Sequence, residues 1–132
     1  MIKQIIDVER YWKIIVYYNI DYNLFNNIAL ELKAISSPVE KIDEIYYNLT
    51  HDAKAVTVSS IDLHISIVLF NKHKNKYDYI NSIIHEAEHV KQAMLKAYKV
   101  NDKGEPPAYT IGFIVMKMLQ SNVVKNFNLN NS

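Results

Sequence analysis

The sequence predicts an α+β fold, in which helices cover a small antiparallel or mixed sheet of about three strands. Two observations carry this prediction. Apolar residues recur at every second position within residues 10–21 and 55–70, as they do in strands. Between and after these segments they recur at every third and fourth position, as they do in helices. The predicted order is strand, helix, helix, hairpin, helix, helix, with the two C-terminal helices adjacent.

The first strand, residues 10–21, is apolar on both faces, so we expect it in the interior of the sheet. One face carries Trp12, Ile14, Val16, Tyr18 and Ile20, and the other carries Tyr11, Ile15 and Tyr17.

Two helices are expected next. A helical stripe of apolar residues covers residues 24–35. Ser37, Pro38 and Glu40 then match a capping box, with Ser37 as the N-cap and Pro38 at the first helical position. The helix that they open extends to Leu49.

Residues 55–70 are expected to form a hairpin. Val56 and Val58 alternate with Thr57 and Ser59, and the turn is expected at residues 59–62. In the second strand, His64 lies on the polar side.

The last two helices are expected over residues 78–100 and about 107–120, separated by a break at residues 101–104. Residues 1–120 form one domain in this interpretation, and residues 121–132 form a frayed, Asn-rich tail.

The composition excludes several function classes. Fifteen basic and fourteen acidic residues give a formal net charge of +1, so we expect neither nucleic acid nor a membrane as a partner. The chain has no cysteine, so a bound metal must be held by His and carboxylate side chains. The N-terminal segment is too acidic and too briefly apolar for a signal peptide, so a cytoplasmic location is expected.

The most informative motif is His85-Glu86-Ala87-Glu88-His89, which has the pattern His-Glu-x-x-His. On a helix, residues four apart are separated by about 40° around the axis, so both imidazoles lie on one face and can bind one cation. Glu86 lies about 100° from His85, beside such a cation, where it can accept a proton.

A catalytic zinc site usually has a third protein ligand. Glu105 is the best candidate, because the break after residue 100 lets the last helix fold back beside the motif. Since Glu105 precedes Pro106, it is expected at or just before the helix N-cap. The alternatives for the third ligand are Asp102, His64 and His73.

These residues resemble a known family. His85-Glu-x-x-His89, followed by Glu105-x-x-Ala108-Tyr109-x-x-Gly112, resembles gluzincin-type zinc metallopeptidases. The pattern is most similar to the short zinc peptidases of bacteriophages and mobile elements. The resemblance spans residues 10–120. The motif residues match over residues 81–114, and before residue 81 only the order of strands and helices is similar.

The resemblance implies a metal-dependent peptide hydrolase. Zn²⁺ would be held by His85, His89 and Glu105 and would activate a water molecule, with Glu86 as the general base. Tyr109 would support the Glu105 carboxylate or an oxyanion, with a core aromatic as the alternative. A peptide or protein substrate would pair with an edge strand, expected at residues 62–70.

Two other functions are consistent with the sequence. The first is a metal-stabilised, zincin-like accessory protein of a phage or mobile element, with little or no hydrolysis. The second is an interaction module in which the His and Glu pattern is incidental.

Overall fold

The computed structural model describes residues 1–100 and 109–127 and confirms the α+β class. The strands are β1 (Ile2–Val8), β2 (Trp12–Tyr18), β3 (Ala55–Ser60) and β4 (Ile65–Phe70). The helices are α1 (Phe25–Ala34), α2 (Val39–His51), α3 (Lys76–Val100), α4 (Thr110–Leu119) and α5 (Asn122–Lys125), and a short 3-10 helix (Tyr22–Leu24) precedes α1. No described helix combines a bilayer-spanning length with the apolar composition that the lipid interior requires.

The four strands form one mixed sheet in the order β1-β2-β4-β3. β2 is antiparallel to β1 and parallel to β4, and β4 is antiparallel to β3. The interior position expected for β2 is therefore confirmed.

The expected count of about three strands is wrong, because β1 is a fourth. Its inward residues Ile6 and Val8 are buried and alternate with exposed ones. The turn after β1 contains no glycine or asparagine, the residues that would have predicted a turn here. Glu9 and Arg10 instead adopt positive φ angles of 51° and 58°.

Helices cover both faces of the sheet. Alternate β2 side chains separate into two cores, because successive residues of a strand point to opposite faces. Ile14 and Val16 pack in a core with residues of α3, α4 and α5, whereas Tyr17 packs with residues of α1 and α2. The expected adjacency of the last two helices, α3 and α4, is also confirmed.

The capping box prediction is wrong. Pro38 is the N-cap of α2, and no side chain caps this helix. Ser37 instead closes α1, since its amide donates a hydrogen bond to the Leu32 carbonyl (3.0 Å) after Ser36 adopts a φ of 75°.

The predicted hairpin is present, but its turn is displaced. β3 continues to Ser60, which pairs with Ile65, so the turn comprises residues 61–64 rather than 59–62. His64 therefore lies in the turn, with a φ of 58°, and not on the polar side of a strand. A hydrogen bond from the Leu63 amide to Ser60 Oγ (3.1 Å) stabilises this turn.

The sheet edge also differs from the expectation. β4 lies between β2 and β3, so the strand predicted within residues 62–70 is interior and cannot offer a free edge. The edge strand beside α3 is β3.

The segment expected as a frayed tail contains α5. Val124 of this helix is 1% exposed and belongs to the core that α3 and α4 share. The expectation of a frayed tail is therefore wrong for residues 121–127.

Candidate metal centre

Helix α3 brings the two motif histidines together on one exposed face. Their Nε2 atoms lie 3.2 Å apart, and their rings meet at an interplanar angle of 82°. The side chain of His85 is 70% exposed, so solvent reaches the pair. The four-residue spacing of the motif therefore gives the convergence that the sequence predicted.

The histidine pair fits a zinc ion. Two nitrogens bound to zinc at about 2.0–2.1 Å with a tetrahedral angle lie roughly 3.4 Å apart. The observed separation of 3.2 Å is close to this value. The separation of the two nitrogens is therefore compatible with both rings binding one ion.

Glu86 completes the group from the buried side. One ligand atom from each of His85, Glu86 and His89 lies within 4.8 Å of the others. Glu86 is 5% exposed, and its Oε2 lies 3.9 Å from His85 Nε2. These positions place the carboxylate beside the histidine pair, as the sequence predicted.

The edge strand holds the other oxygen of this carboxylate. Thr57 Oγ1 of β3 donates a hydrogen bond of 2.9 Å to Glu86 Oε1. The carboxylate is thus fixed between strand and helix, with Oε2 on the side of the histidines.

A groove between β3 and α3 contains the site. Two cavities lie along it, one on each side of the motif. A cavity of about 290 Å³ is lined by residues that include Lys54, Ser82 and Glu86. A cavity of about 240 Å³ is lined by residues that include His89 and Lys96. The motif therefore lies midway along a groove that borders the outer edge of β3, which pairs with no further strand among the described residues.

Buried hydrogen bonds fix the sheet beneath this groove. Trp12 Nε1 donates to Ser66 Oγ (2.9 Å), and the hydroxyls of Ser66 and Ser59 lie 2.7 Å apart. This chain of contacts connects β2, β4 and β3.

Neither His64 nor His73 joins the motif histidines. The imidazole of His73 contacts the Asn71 carbonyl oxygen through Nδ1 (2.6 Å) and Ser82 Oγ through Nε2 (2.7 Å). Burial lowers the pKa of His73. His64 packs against the rings of Tyr11 and Trp12, at centroid distances of 4.5 and 5.4 Å.

Tyr109 contacts a different part of the molecule. Its hydroxyl donates a hydrogen bond to Glu9, in the turn between β1 and β2, and this bond raises the pKa of Tyr109. The electrostatic interaction with the nearby Tyr98 also raises the pKa of Tyr109. Tyr98 lies nine residues beyond His89 on α3. That spacing is about 13 Å along α3, so the structure pairs Tyr109 with Glu9 and not with the histidines.

The predicted third ligand, Glu105, and its alternative Asp102 lie outside the described residues. Thr57 is the site residue that sequence reasoning did not identify. Its position on the polar side of the strand preceding the motif helix was a signal, but the contact with Glu86 depends on how β3 packs against α3.

In comparisons with protein-family models, curated proteins and solved structures, the chain matched none.

Proposed function

We propose that this protein is a zinc-dependent peptidase in which His85 and His89 bind the metal and Glu86 is the general base. One observation carries the proposal. The two Nε2 atoms lie 3.2 Å apart, and a fixed, buried carboxylate lies 3.9 Å from one of them. The group lies in a groove beside β3, the outermost strand of the sheet in the part of the chain that the structure describes.

The donor set favours zinc, because imidazole and carboxylate ligands suit this ion. When bound, zinc supplies Lewis-acid chemistry, which activates water and polarises a substrate carbonyl. Catalytic zinc sites usually have three protein ligands, and we propose Glu105 as the third on the basis of the sequence.

Glu86 is suited to proton transfer. Because Thr57 holds Oε1, Oε2 is the oxygen that faces the histidine pair. From there it would accept a proton from the attacking water and pass it to the leaving amine. Burial and the hydrogen bond from Thr57 restrict the positions that the carboxylate can adopt.

The edge strand provides a docking surface for a peptide. An extended chain would add to β3 through backbone hydrogen bonds, which would place its carbonyl groups over the groove. The β3 side chains that line the groove are small, including Ala55 and Thr57, so the backbone can approach the motif.

The test compares zinc-loaded wild type with Glu86→Gln on a mixed peptide library, with cleavage products identified by mass spectrometry. We expect Glu86→Gln to bind zinc normally and to lose activity by at least about 100-fold. Glu88→Gln changes the neighbouring motif carboxylate, which contacts Lys91 at 3.6 Å, and should remain within about twofold of wild type.

Equal cleavage by wild type and Glu86→Gln would remove Glu86 from the role of base. Zinc binding by wild type without any cleavage would overturn the peptidase proposal and support the accessory-protein alternative.

A further inference from the structure

The Lys54 end of the groove leads into a larger, cationic cavity. This cavity has a volume of about 640 Å³, which is within the range of roughly 300–1,000 Å³ typical of ligand sites. Lys54 lines both this cavity and the 290 Å³ cavity that contains Glu86. The cationic cavity therefore adjoins the cavity of the candidate metal centre at Lys54.

Its charge is local, since the whole chain has a formal net charge of only +1. Three lysines, Lys54, Lys72 and Lys74, line the cavity, against one carboxylate, Asp78. Asp78 lies 3.7 Å from the Lys54 ammonium. Among the described residues, no carboxylate lies within 4.0 Å of the ammonium of Lys72 or Lys74.

The uncharged part of the wall is fixed by its own hydrogen bonds. Asn71 Nδ2 donates to the carbonyl oxygens of Leu49 (2.8 Å) and Ala53 (2.9 Å). The hydroxyl of Tyr22 donates to the Leu49 carbonyl oxygen (3.1 Å). Since these polar groups are already paired and Lys54 contacts Asp78, the ammoniums of Lys72 and Lys74 are the lining cations that no described carboxylate pairs with, and they favour an anion.

The direction of β3 indicates which part of a peptide would reach these lysines. A peptide that adds antiparallel to β3 runs from the Ser60 end towards the Ala55 end, so its C-terminal part approaches Lys54. Lys54 precedes Thr57 by three residues, or about 10 Å of strand. Because Thr57 contacts Glu86, the cavity would receive residues that follow the scissile bond by about two or three positions.

We propose that this cavity binds a carboxylate of the substrate on the C-terminal side of the scissile bond. The carboxylate comes from an Asp or Glu side chain or from the C-terminus of the peptide itself. This inference rests on the proposed peptidase function of the adjoining groove. It adds a substrate class, namely peptides that are acidic or that end shortly after the cleaved bond.

The test measures peptide binding by the full-length Glu86→Gln chain, loaded with zinc, using calorimetry at low salt. Three N-acetylated peptides of equal length are compared. The first has a free C-terminal carboxylate, the second is amidated and neutral, and the third is amidated and carries Glu near its C-terminus. We expect the first or the third to bind at least about tenfold more tightly than the second.

Reversing the charge of two lysines that line the cavity tests whether the carboxylate binds there. In the Glu86→Gln background, Lys72→Glu with Lys74→Glu should remove the preference for a carboxylate. Lys33→Glu with Lys99→Glu makes the same change in net charge on α1 and α3, away from the cavity lining, and should preserve the preference. Circular dichroism melting confirms that both double variants are folded.

If only the first peptide binds tightly, the cavity recognises the C-terminus. If only the third peptide binds tightly, the cavity recognises an acidic side chain. Equal binding of all three peptides, no binding, or equal effects of the two double variants would overturn the inference. Cleavage of the same peptides by zinc-loaded wild type separates the two proposals. Carboxylate preference without cleavage overturns only the peptidase proposal, and cleavage without that preference overturns only this one.

Discussion

Thr57 on the edge strand donates a hydrogen bond of 2.9 Å to Glu86 on α3. The bond joins β3, an edge strand of the described sheet, to the helix that carries both motif histidines. The position of the proposed base therefore depends on the packing of strand against helix. This arrangement couples the proposed docking surface to the proposed chemistry.

Replacing Thr57 by Val should reduce turnover by roughly tenfold, because Glu86 Oε1 loses its donor and the carboxylate loses a fixed orientation. Zinc stoichiometry should not change, since the histidine pair does not depend on this bond. The measurement is kcat/KM on a peptide that the wild type cleaves, together with zinc content.

Thr57→Ser restores the hydroxyl and should recover most of the activity, which distinguishes positioning of Glu86 from a general effect on folding. Unchanged kcat/KM in Thr57→Val would contradict the positioning role.

Ser66→Ala should lower the free energy of unfolding by about 2 kcal/mol, because the buried Trp12 Nε1–H loses its acceptor. Ser59→Ala is the matched control and should have a smaller effect, since Ser66 remains available to Trp12. Urea unfolding measures both. A larger effect at Ser59 than at Ser66 would contradict the role of Ser66 as the acceptor for the Trp12 indole.

Val124→Ala should lower the free energy of unfolding by about 2 kcal/mol, because Val124 is 1% exposed in the core formed with α3 and α4. Val100→Ala makes the same change at a position that is 75% exposed and should have little effect. Equal effects in urea unfolding would show that α5 does not pack against this core.

His73 should make stability depend on pH, because burial lowers its pKa in the folded state. In the unfolded chain, histidine has its ordinary pKa of about 6.5, so the unfolded state binds the proton first as the pH falls. The contribution of His73 to the free energy of unfolding should therefore be constant above this pH and decrease below it, through the lowered pKa of the folded state.

His73→Gln should reduce this slope between pH 7.5 and 5.5, measured by urea unfolding with EDTA present to remove linked metal binding. His51→Gln, at an exposed position on α2, is the control. An equal reduction of slope in both variants would contradict the assignment to His73.

Local spacing was sufficient to predict the centre of the site. The convergence of His85 and His89 follows from helical geometry alone once α3 is recognised, and it needs no tertiary information. The same is true of Glu86, whose position beside the pair depends on its place within one helical turn.

Features that depend on pairing between distant segments were not predictable in the same way. The apolar alternation of β4 does not reveal that β4 is parallel to β2, and this pairing is what makes β3 the edge. β1 was missed because Glu9 and Arg10 form its turn without the usual residues for positive φ. The bond between Thr57 and Glu86 likewise depends on how the sheet packs against α3.

The zinc affinity of the two motif histidines tests the central claim most directly. Zinc is titrated into the metal-free chain in competition with a chromophoric chelator, for wild type, His89→Ala, Glu105→Ala and the control His51→Ala. We predict about one zinc per chain for wild type and for His51→Ala, and an affinity reduced by at least about 100-fold in His89→Ala. A loss of zinc affinity in Glu105→Ala, smaller than the loss in His89→Ala, would identify Glu105 as the third ligand. No zinc uptake by wild type, or equal affinity in His89→Ala, would contradict the metal centre and with it the proposed peptidase.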